Sequence, residues 1–233
     1  MLSAVTAHAP DIETLASDHG AEALTAQQVV EAMVQRFGSR VALACSFQQE
    51  EAVLLDMLLA VEPRARVFAL DTDVLFPETY ATWRAVEKRY GIEVEAVRGP
   101  SLGYQAAVHG DALWESNPNL CCAIRKVEPL TRKLGELDAW IVGIRREQSP
   151  TRAGAQKIAW DETFEVWKAA PLADWSEARV QEYIAERGLP VNPLHAQGYS
   201  SIGCTFCTRP GSGREGRWAG NAKTECGLHK PAA

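Results

Sequence analysis

The sequence predicts an α/β protein with a parallel sheet flanked by helices, followed by an irregular C-terminal extension. Short apolar runs alternate with helical stretches between residues 41 and 144, a pattern typical of βαβ units. Each run is continuously apolar, as expected for parallel strands that are buried on both faces. From Asn192 onward the chain is rich in Gly, Pro and polar residues, so we expect loops there.

The length and composition agree with this fold class. A chain of 233 residues can bury a full core without disulfide support. Its hydrophobic fraction is 46% and its charged fraction is 23%, which are ordinary values for a globular protein. These values exclude a disordered or collagen-like chain as an overall description.

The first 38 residues are predicted to be a helical region. Apolar side chains recur at helical spacing within Ala26–Phe37, and Gly38 is expected to end that helix. Four apolar runs then follow as predicted parallel strands. They cover residues 41–45, 66–70, 92–97 and 139–144. Helices are predicted over residues 50–60, 77–90 and 122–134.

The second half of the chain predicts two more short strands and one more helix. The strands cover residues 157–160 and 164–167, joined by residues 161–163. Residues 174–177 match a capping box, which predicts a helix with Val180, Tyr183 and Ile184 facing inward. Gly188 and Pro190 are expected to end it. Ligands of open α/β sheets bind beyond the carboxyl ends of strands, so the loops after residues 45, 70, 97 and 144 are candidate binding loops.

Charge is distributed unevenly along the chain. The net charge of −6 argues against binding nucleic acid or anionic membranes through bulk charge. From Cys204 onward, five basic and two acidic residues give a net +3, which leaves −9 on residues 1–203. This basic tail is either a clamp for an anionic ligand or a solvated terminus, and charge alone favours the solvated terminus.

The sequence also predicts a compartment. The N-terminal residues show no basic region followed by an apolar stretch, as a secretory signal would. The longest apolar stretch, residues 52–61, is interrupted by Asp56 and is too short to span a bilayer. We therefore expect a cytoplasmic protein with reduced thiols. The six cysteines are then expected to be metal ligands or redox groups instead of disulfides.

Four of the cysteines form two close pairs. Cys121 and Cys122 are adjacent, and Cys204 and Cys207 form a Cys-x-x-Cys motif. Four thiolates suit tetrahedral zinc or an iron–sulfur cluster, and an adjacent pair is unusual for zinc. The alternatives are buried cysteines beside an incidental motif, or a redox dithiol. The fifth cysteine, Cys45, is predicted to be a buried strand residue.

The sixth cysteine, Cys226, is a candidate nucleophile. It lies close in sequence to Lys223, His229 and Lys230. Nearby cations lower the pKa of a thiol and make the reactive thiolate available. An incidental terminal cysteine is the alternative.

Two loops at predicted strand ends are candidate anion sites. Residues 46–51 join the first strand to a helix, where backbone N–H groups can face a phosphate, although the loop lacks the glycines and lysine of a Walker A motif. Residues 143–152 carry Arg145, Arg146 and Arg152, whose guanidinium groups match phosphate or sulfate oxygens. A turn that binds nothing and a solvated loop with one salt bridge are the respective alternatives.

Taken in order, these motifs resemble those of a known family. They occur at residues 46–51, 70–72, 75–79, 121–122, 143–150, 204–207 and 225–229. Over roughly residues 35–231 the sequence resembles the assimilatory adenylyl-sulfate (APS) reductases of the wider phosphoadenylyl-sulfate (PAPS) reductase family. The closing Glu-Cys-Gly-Leu-His motif is specific to that family. The two cysteine pairs mark its cluster-containing branch, most of whose members use APS.

The resemblance implies a fold, a cofactor and a set of site residues. The fold would be that of the adenine nucleotide α-hydrolases, and a [4Fe–4S] cluster would be held by Cys121, Cys122, Cys204 and Cys207. Cys226 would be the nucleophile, and Lys126 would lie between the cluster and the substrate. The residues that would surround the substrate are Ser46, Leu70, Thr72, Arg145, Arg214, Arg217 and His229. The last three would contact the phosphosulfate.

The implied reaction is thiol-dependent reduction of APS to sulfite and AMP through S-sulfocysteine at Cys226. Thioredoxin or glutaredoxin would be the reductant, because an external dithiol can attack that intermediate. The alternatives are PAPS reduction, an ATP-using iron–sulfur sulfur transferase, and a non-catalytic redox sensor. Residues 1–203 would form the nucleotide-binding domain and residues 204–233 the cluster loop and catalytic tail. No nucleic-acid or membrane partner is expected, and a homo-oligomer is left open.

The sequence departs from the family pattern in the first two loops. Asp73 and Val74 stand where the family usually has Gly-Arg, and Glu51 stands where Asp is common. These differences leave the cysteines unchanged but weaken the detailed assignment of nucleoside contacts.

Overall fold

The computed structural model describes residues 11–17, 20–218, 223 and 225–229. Its centre is a six-stranded sheet in the order β3-β2-β1-β4-β6-β5. The strands are β1 (Val41–Ala44), β2 (Arg66–Asp71), β3 (Glu95–Arg98), β4 (Ala139–Ile141), β5 (Ile158–Asp161) and β6 (Val166–Ala169). Every pairing is parallel except the one between β5 and β6, which is antiparallel. The predicted parallel sheet is therefore confirmed, with an antiparallel edge strand.

Helices cover both faces of the sheet. They are α1 (Ile12–Ser17), α2 (Ala26–Phe37), α3 (Gln49–Val61), α4 (Pro77–Tyr90), α5 (Leu102–His109), α6 (Leu113–Ser116), α7 (Pro118–Cys122), α8 (Glu128–Leu134) and α9 (Glu177–Arg187). One face packs its apolar side chains against α2, α3 and α9. The other face packs Phe68 and Trp140 against Leu130 and Leu134 of α8. None of the helices in the described ranges is long and apolar enough to cross a membrane.

Local sequence signals account for the best-predicted helices. α2 begins after Thr25, whose hydroxyl accepts a hydrogen bond from the Gln28 N–H, and it ends at Gly38 with φ of 53°. α4 begins with Pro77 and ends at Gly91 in the left-handed region. Both helices have the predicted bounds.

Strand β3 begins three residues later than predicted. The backbone N–H of Val94 donates to the carboxylate of Glu87 on α4 at 2.9 Å. Ile92 N–H donates to the Glu87 carbonyl at 3.3 Å. These bonds tie the chain to the end of α4, so sheet pairing starts only at Glu95.

The predicted capping box at residues 174–177 is wrong. Ser176, not Asp174, caps α9, because its hydroxyl accepts from the Arg179 N–H at 3.2 Å. The Asp174 carboxylate instead lies 2.8 Å from the Lys157 ammonium. Gly188 ends the helix as expected, and Val180 and Ile184 are buried.

The region predicted as one helix over residues 122–134 is longer and less regular. It begins with α7, continues through a π-helical turn at Ala123–Val127, and ends with α8. The adjacent cysteines therefore lie at the end of α7, and Lys126 lies within the wider π turn. After α9, the described residues contain only short 3-10 turns and isolated bridges, which confirms the irregular C-terminal extension.

Candidate active site

A cavity of about 540 Å³ opens at the carboxyl ends of β1, β2 and β4. The strand order changes direction between β1 and β4, and open α/β sheets bind ligands at such a point. The loops that follow these three strands contribute Ser46, Thr72 and Gly143 to the wall. Of the four loops that were predicted to bind a ligand, those after residues 45, 70 and 144 line the cavity, and the loop after residue 97, which the structure also describes, does not.

The cavity gathers the predicted site residues from distant parts of the sequence. Its wall includes all nine residues that were predicted to be catalytic or to bind substrate. They are Ser46, Leu70, Thr72, Lys126, Arg145, Arg214, Arg217, Cys226 and His229. The C-terminal segment at residues 225–229, called the Cys226 segment below, thus lies against the strand ends of the nucleotide-binding fold. This arrangement favours a catalytic arm over a solvated terminus.

The loop after β1 is held by its own side chains. Ser46 Oγ donates to Glu51 Oε2 at 2.7 Å, and the Gln48 backbone N–H donates to the same oxygen at 3.3 Å. Gln48 Oε1 accepts from the Ile202 N–H at 2.7 Å, which ties the loop to the C-terminal extension. Phe47 has φ of 58° and its ring stacks on Trp83 at 4.9 Å. The loop has a fixed shape before any ligand binds.

Two buried carboxylates lie beneath this loop. Burial and the neighbouring Glu50 raise the pKa of Glu51 to about 7. Gly143 lies directly against Glu51, and an added Cβ there would collide with the carboxylate. Any larger residue at position 143 would displace Glu51 or the strand end.

The raised pKa of Glu51 makes stability depend on pH. Between pH 4.5 and about 7 the folded protein keeps a proton that the unfolded chain has lost, so the free energy of unfolding falls as pH rises. We expect Glu51→Gln to remove this fall in the free energy of unfolding and to be more stable than the wild type at pH 8 by at least about 1 kcal/mol. Urea unfolding at pH 5 and pH 8 measures the difference. Glu182→Gln, on the exposed side of α9, is the control, and parallel pH profiles for wild type and Glu51→Gln would contradict the prediction.

Arg145 lies on the cavity wall, where its guanidinium forms ion pairs with carboxylates of the protein itself. Its guanidinium donates to Glu50 at 2.9 Å, to Glu147 at 3.3 Å and to Glu177. It is only 4% exposed. Three carboxylates therefore surround the guanidinium that was expected from the sequence to match an anion. A contact between Arg145 and a substrate stays a prediction.

Arg217 is built into the C-terminal extension. Its guanidinium donates to Ser201 Oγ at 3.1 Å and to the Ile202 carbonyl at 3.4 Å, and it lies 4.6 Å from the Trp218 ring centre. Gly203 packs so closely on this guanidinium that a Cβ would collide with it. These contacts hold the Arg217 guanidinium at a defined position beside the cavity.

Arg214 contacts the Cys226 segment. It donates to Glu225 Oε2 at 2.8 Å, and Arg152 Nε lies 3.6 Å from Glu225 Oε1. Burial and the neighbouring Arg152 lower the pKa of Arg214 to about 10, so it remains charged at pH 7. Arg152 also lines the cavity, although the sequence predicted no individual role for it.

His229 is half-buried against the sheet. Its ring stacks on Trp140 with centroids 5.5 Å apart and an interplanar angle of 24°. Burial, with Lys168, Arg152 and Arg214 nearby, holds the pKa of His229 well below its ordinary value. The contact between His229 and the phosphosulfate stays a prediction. Trp140 was missed as a site residue because the sequence showed it only as part of an apolar strand.

Asp73 explains one departure from the family pattern. Its φ is 57°, in the left-handed region where glycine is favoured. The Asp73 N–H donates to Asp71 Oδ1 at 3.0 Å, and the buried Arg125 donates to its carboxylate at 2.5 Å. Local hydrogen bonding thus holds an aspartate where the family usually has glycine.

The four paired cysteines face a second, smaller cavity. Cys121, Cys122, Cys204 and Cys207 all line it, with the stacked rings of Trp114 and Phe206. All six cysteines of the chain are free thiols. Burial and then the other three thiols raise the pKa of Cys121 to about 11, so the four groups are close enough to interact. The structure brings together the cysteines that the sequence paired.

The cysteine cavity does not have the geometry of a single-ion site. Among the described residues, no three His, Cys, Asp or Glu side chains are grouped closely enough to hold one metal ion. Tetrahedral zinc would need four sulfurs about 2.3 Å from one centre. A cubane places each thiolate on a different iron, so its ligands are spaced more widely. The four thiols around this cavity are the donor set that was expected from the sequence for a metal or a cluster.

Lys126 connects the two cavities. It lines both of them and is almost fully buried. Burial lowers its pKa, but the electrostatic effect of the nearby Cys204 and Cys226 side chains outweighs burial, so the pKa of Lys126 lies above its ordinary value. Lys126 is therefore a charged group between the cysteines and the larger cavity, as the resemblance implied.

The Cys-x-x-Cys loop is also attached to the loop after β2. Cys204 Sγ and Thr72 Oγ1 are 3.3 Å apart, and the Thr205 N–H donates to the Val74 carbonyl at 2.9 Å. Leu75 and Cys204 form an isolated antiparallel bridge. The Cys-x-x-Cys loop is therefore in direct contact with Thr72 and Leu75, which line the larger cavity.

A parallel α/β sheet whose cavity lies at the switch point of the strand order defines a nucleotide-binding class of fold, and here Cys226 lines that cavity beside a second group of four cysteines. Residues 40–210 match the phosphoadenosine phosphosulfate reductase domain. The chain belongs to that family, whose members are oxidoreductases of sulfate reduction.

Individual relatives agree with this assignment. The chain is 46% identical over 212 residues to an adenosine 5'-phosphosulfate reductase of Lysinibacillus sphaericus, covering 88% of this chain and 91% of the relative. It is 46% identical over 217 residues to a phosphoadenosine 5'-phosphosulfate reductase of Gloeobacter violaceus, covering 89% and 90%.

Solved structures support the fold. A phosphoadenylyl-sulfate reductase of Candida auris is similar with a TM-score of 0.74 and 31% identity, over 85% of this chain and 96% of that one. An FMN adenylyltransferase of Candida glabrata has a TM-score of 0.57 and 14% identity, over 89% of this chain and 69% of that one. The second likeness shows the shared fold, which is the nucleotide-binding fold predicted from the resemblance.

Proposed function

We propose that the protein reduces adenosine 5'-phosphosulfate to sulfite and AMP with Cys226 as the nucleophile. The observation that carries this proposal is the position of Cys226 on the wall of the 540 Å³ cavity, together with Lys126, Arg214 and Arg217. The family and the name of the Lysinibacillus sphaericus relative support it.

The chemistry proceeds in two displacement steps. The Cys226 thiolate attacks the sulfur of APS, the bond between that sulfur and the bridging oxygen breaks, and AMP leaves with the electron pair. This forms S-sulfocysteine, and covalent catalysis divides one difficult reduction into two easier steps. A thiolate of an external dithiol then attacks Cys226 Sγ and releases sulfite. The second thiol of the donor resolves the mixed disulfide and returns Cys226 as the thiolate, and the donor leaves oxidised to its disulfide.

Positive charge on the cavity wall would offset the repulsion between the Cys226 thiolate and the phosphosulfate. The attacking thiolate and the phosphosulfate are both anionic, so their approach is unfavourable without cations. Preorganised donors of this kind are often worth about 3–4 kcal/mol each. Lys126, Arg214 and Arg217 are the groups that would supply this stabilisation, whereas neutral His229 would contribute a hydrogen bond.

We further propose that Cys121, Cys122, Cys204 and Cys207 hold a [4Fe–4S] cluster. When bound, the cluster would supply electrostatic stabilisation through Lys126 and anchor the base of the C-terminal extension. The two displacement steps need no electron from it, since the external dithiol supplies both electrons. Lys126 would keep its ammonium directed between the cysteines and the substrate.

The partners and compartment follow from this chemistry. Thioredoxin or glutaredoxin is the proposed reductant, because each carries a dithiol suited to exchange. The cytoplasm is the proposed location, where such dithiols are kept reduced. Residues 204–233 would act as a catalytic extension of the nucleotide-binding domain at residues 1–203.

PAPS is the second candidate substrate, because the Gloeobacter violaceus and Candida auris relatives are named for it. The test is sulfite production from APS and from PAPS by the purified protein with reduced thioredoxin. We expect kcat/KM for APS to exceed that for PAPS by at least about 100-fold, a difference of about 3 kcal/mol in transition-state binding. A higher kcat/KM for PAPS would show that PAPS is the substrate instead of APS. The absence of sulfite from both compounds would contradict the proposed reaction.

A further inference from the structure

We propose that Arg152 and Trp140 are positioning residues that hold the Cys226 segment and thereby fix the place of the nucleophile. This inference rests on the proposed function. Neither residue belongs to the set that the resemblance assigns to substrate or cofactor, although Arg152 lies in the loop whose arginines were expected to match an anion. Each one contacts a side chain of the Cys226 segment on a different side of Cys226.

The first anchor is an ion pair directly before the nucleophile. Glu225 precedes Cys226, and its two carboxylate oxygens face two different arginines. Arg152 Nε lies 3.6 Å from Oε1, and Arg214 donates to Oε2 at 2.8 Å. The Arg152, Arg214 and Glu225 side chains are only 12%, 15% and 17% exposed. Charge pairs that are this sheltered are screened far less than pairs on the surface.

The second anchor lies three residues after the nucleophile. The His229 ring stacks on Trp140, which is 1% exposed and belongs to the central strand β4. Leu228 packs against the same apolar cluster. Gly227 has φ of 89°, so the backbone turns between Cys226 and these two residues. A rigid strand therefore holds the end of the segment.

The two anchors constrain Cys226 from both sides. A segment fixed only at one end would let the thiol sample many positions, and misplacing a reacting atom by about 1 Å can cost on the order of 100-fold in rate. Arg152 does this through Glu225, since its charge is paired with that carboxylate. Trp140 does it through an aromatic stack, which is typically worth about 0.5–1.5 kcal/mol beyond area burial.

The test measures the two chemical steps separately. In a single turnover without reductant, Arg152→Gln is expected to form S-sulfocysteine from APS at least about tenfold more slowly than the wild type. Release of sulfite from the preformed adduct by a small thiol such as dithiothreitol should be unchanged or faster. Arg146→Gln is the matched control, because Arg146 lies in the same loop but donates to Glu22 and the Ala155 carbonyl. Equal rates of adduct formation in wild type and Arg152→Gln would overturn the role of Arg152.

A mutant cycle tests the ion pair itself. If Arg152 acts through Glu225, the double variant Arg152→Gln/Glu225→Gln should form the adduct no more slowly than the worse single variant. Additive losses would show that Arg152 acts by another route.

The aromatic anchor is tested by two substitutions of Trp140. Trp140→Phe, which keeps a ring under His229, should retain most of the rate of adduct formation that Trp140→Leu loses. Trp160→Leu, an exposed tryptophan on β5, controls for removal of an indole.

A readout without substrate separates this inference from the proposed function. Iodoacetamide should modify Cys226 several-fold faster in Arg152→Gln and Trp140→Leu than in the wild type, as measured by peptide mass spectrometry. Thermal unfolding of the same samples identifies a variant that is merely unfolded. If the wild type forms no adduct from APS, the proposed function fails while the alkylation rates still test the anchors. If alkylation is unchanged in folded variants, the anchors do not position Cys226.

Discussion

Replacing Cys226 with serine is expected to reduce thiol-dependent sulfite release to background, a loss of at least about 1000-fold. A serine hydroxyl has no accessible anion at pH 7, and a sulfate ester on serine could not be reduced by thiol exchange. AMP binding should persist, because the rest of the cavity wall is unchanged. The measurement is sulfite release with reduced thioredoxin, paired with AMP titration on the same protein.

The control for Cys226→Ser is Cys45→Ala. Cys45 is buried directly after β1, and burial raises the pKa of its thiol well above the ordinary value, so it is not a reactive group. Activity close to that of wild type is expected for this variant. Near-normal turnover of Cys226→Ser would show that another group is the nucleophile.

The second large effect concerns the cysteine cavity. Protein purified without oxygen should contain about four iron and four sulfide per chain and be brown, as expected for thiolate-ligated clusters. Cys207→Ser should lose most of this iron, because one corner of the cluster would lack its thiolate. Iron and sulfide analysis with absorbance spectroscopy measures both results.

The activity of Cys207→Ser should fall together with its iron content, by at least about 100-fold. Without the cluster, Lys126 and the Cys-x-x-Cys loop would no longer be held in position. Cys45→Ala again serves as the control and should keep its iron. Stoichiometric zinc in place of iron would contradict the cluster. Equal iron in Cys207→Ser and the wild type would exclude Cys207 as a ligand.

Local signals in the sequence were sufficient for most of the fold. The bounds of α4 follow from Pro77 and Gly91, which start and stop the helix through their own backbone preferences. The start of α9 was predicted wrongly because Asp174 and Ser176 are both good capping residues. Lys157, which binds Asp174, lies 17 residues earlier, and no local pattern links the two.

The composition of the site was also largely predictable, since every predicted substrate and catalytic residue lines one cavity. Its electrostatics were not. Arg145 is neutralised by Glu50 and Glu177, which lie 95 and 32 residues away in sequence. The pKa of His229 lies well below its ordinary value because the fold packs its ring on Trp140 near Lys168, Arg152 and Arg214. The charge state of a group depends on burial and on partners that only the tertiary structure brings together.

Trp140 illustrates the same limit in another way. A tryptophan in an apolar run indicates only a buried strand, and that prediction is confirmed. Its second role depends on a ring 89 residues later in the chain, at His229. One side chain thus serves the core and the site, and sequence periodicity reports only the first of these.

The attachment of the Cys-x-x-Cys loop to the loop after β2 has a consequence for how the protein assembles. The contacts from Thr72 to Cys204 and from Val74 to Thr205 join residues that are 132 and 131 positions apart. Closing so long a chain costs entropy, and such contacts form only after the intervening elements have docked. The four cysteines are therefore expected to meet late in folding, after the sheet has formed. A cluster held by them would then be inserted into an architecture that already exists.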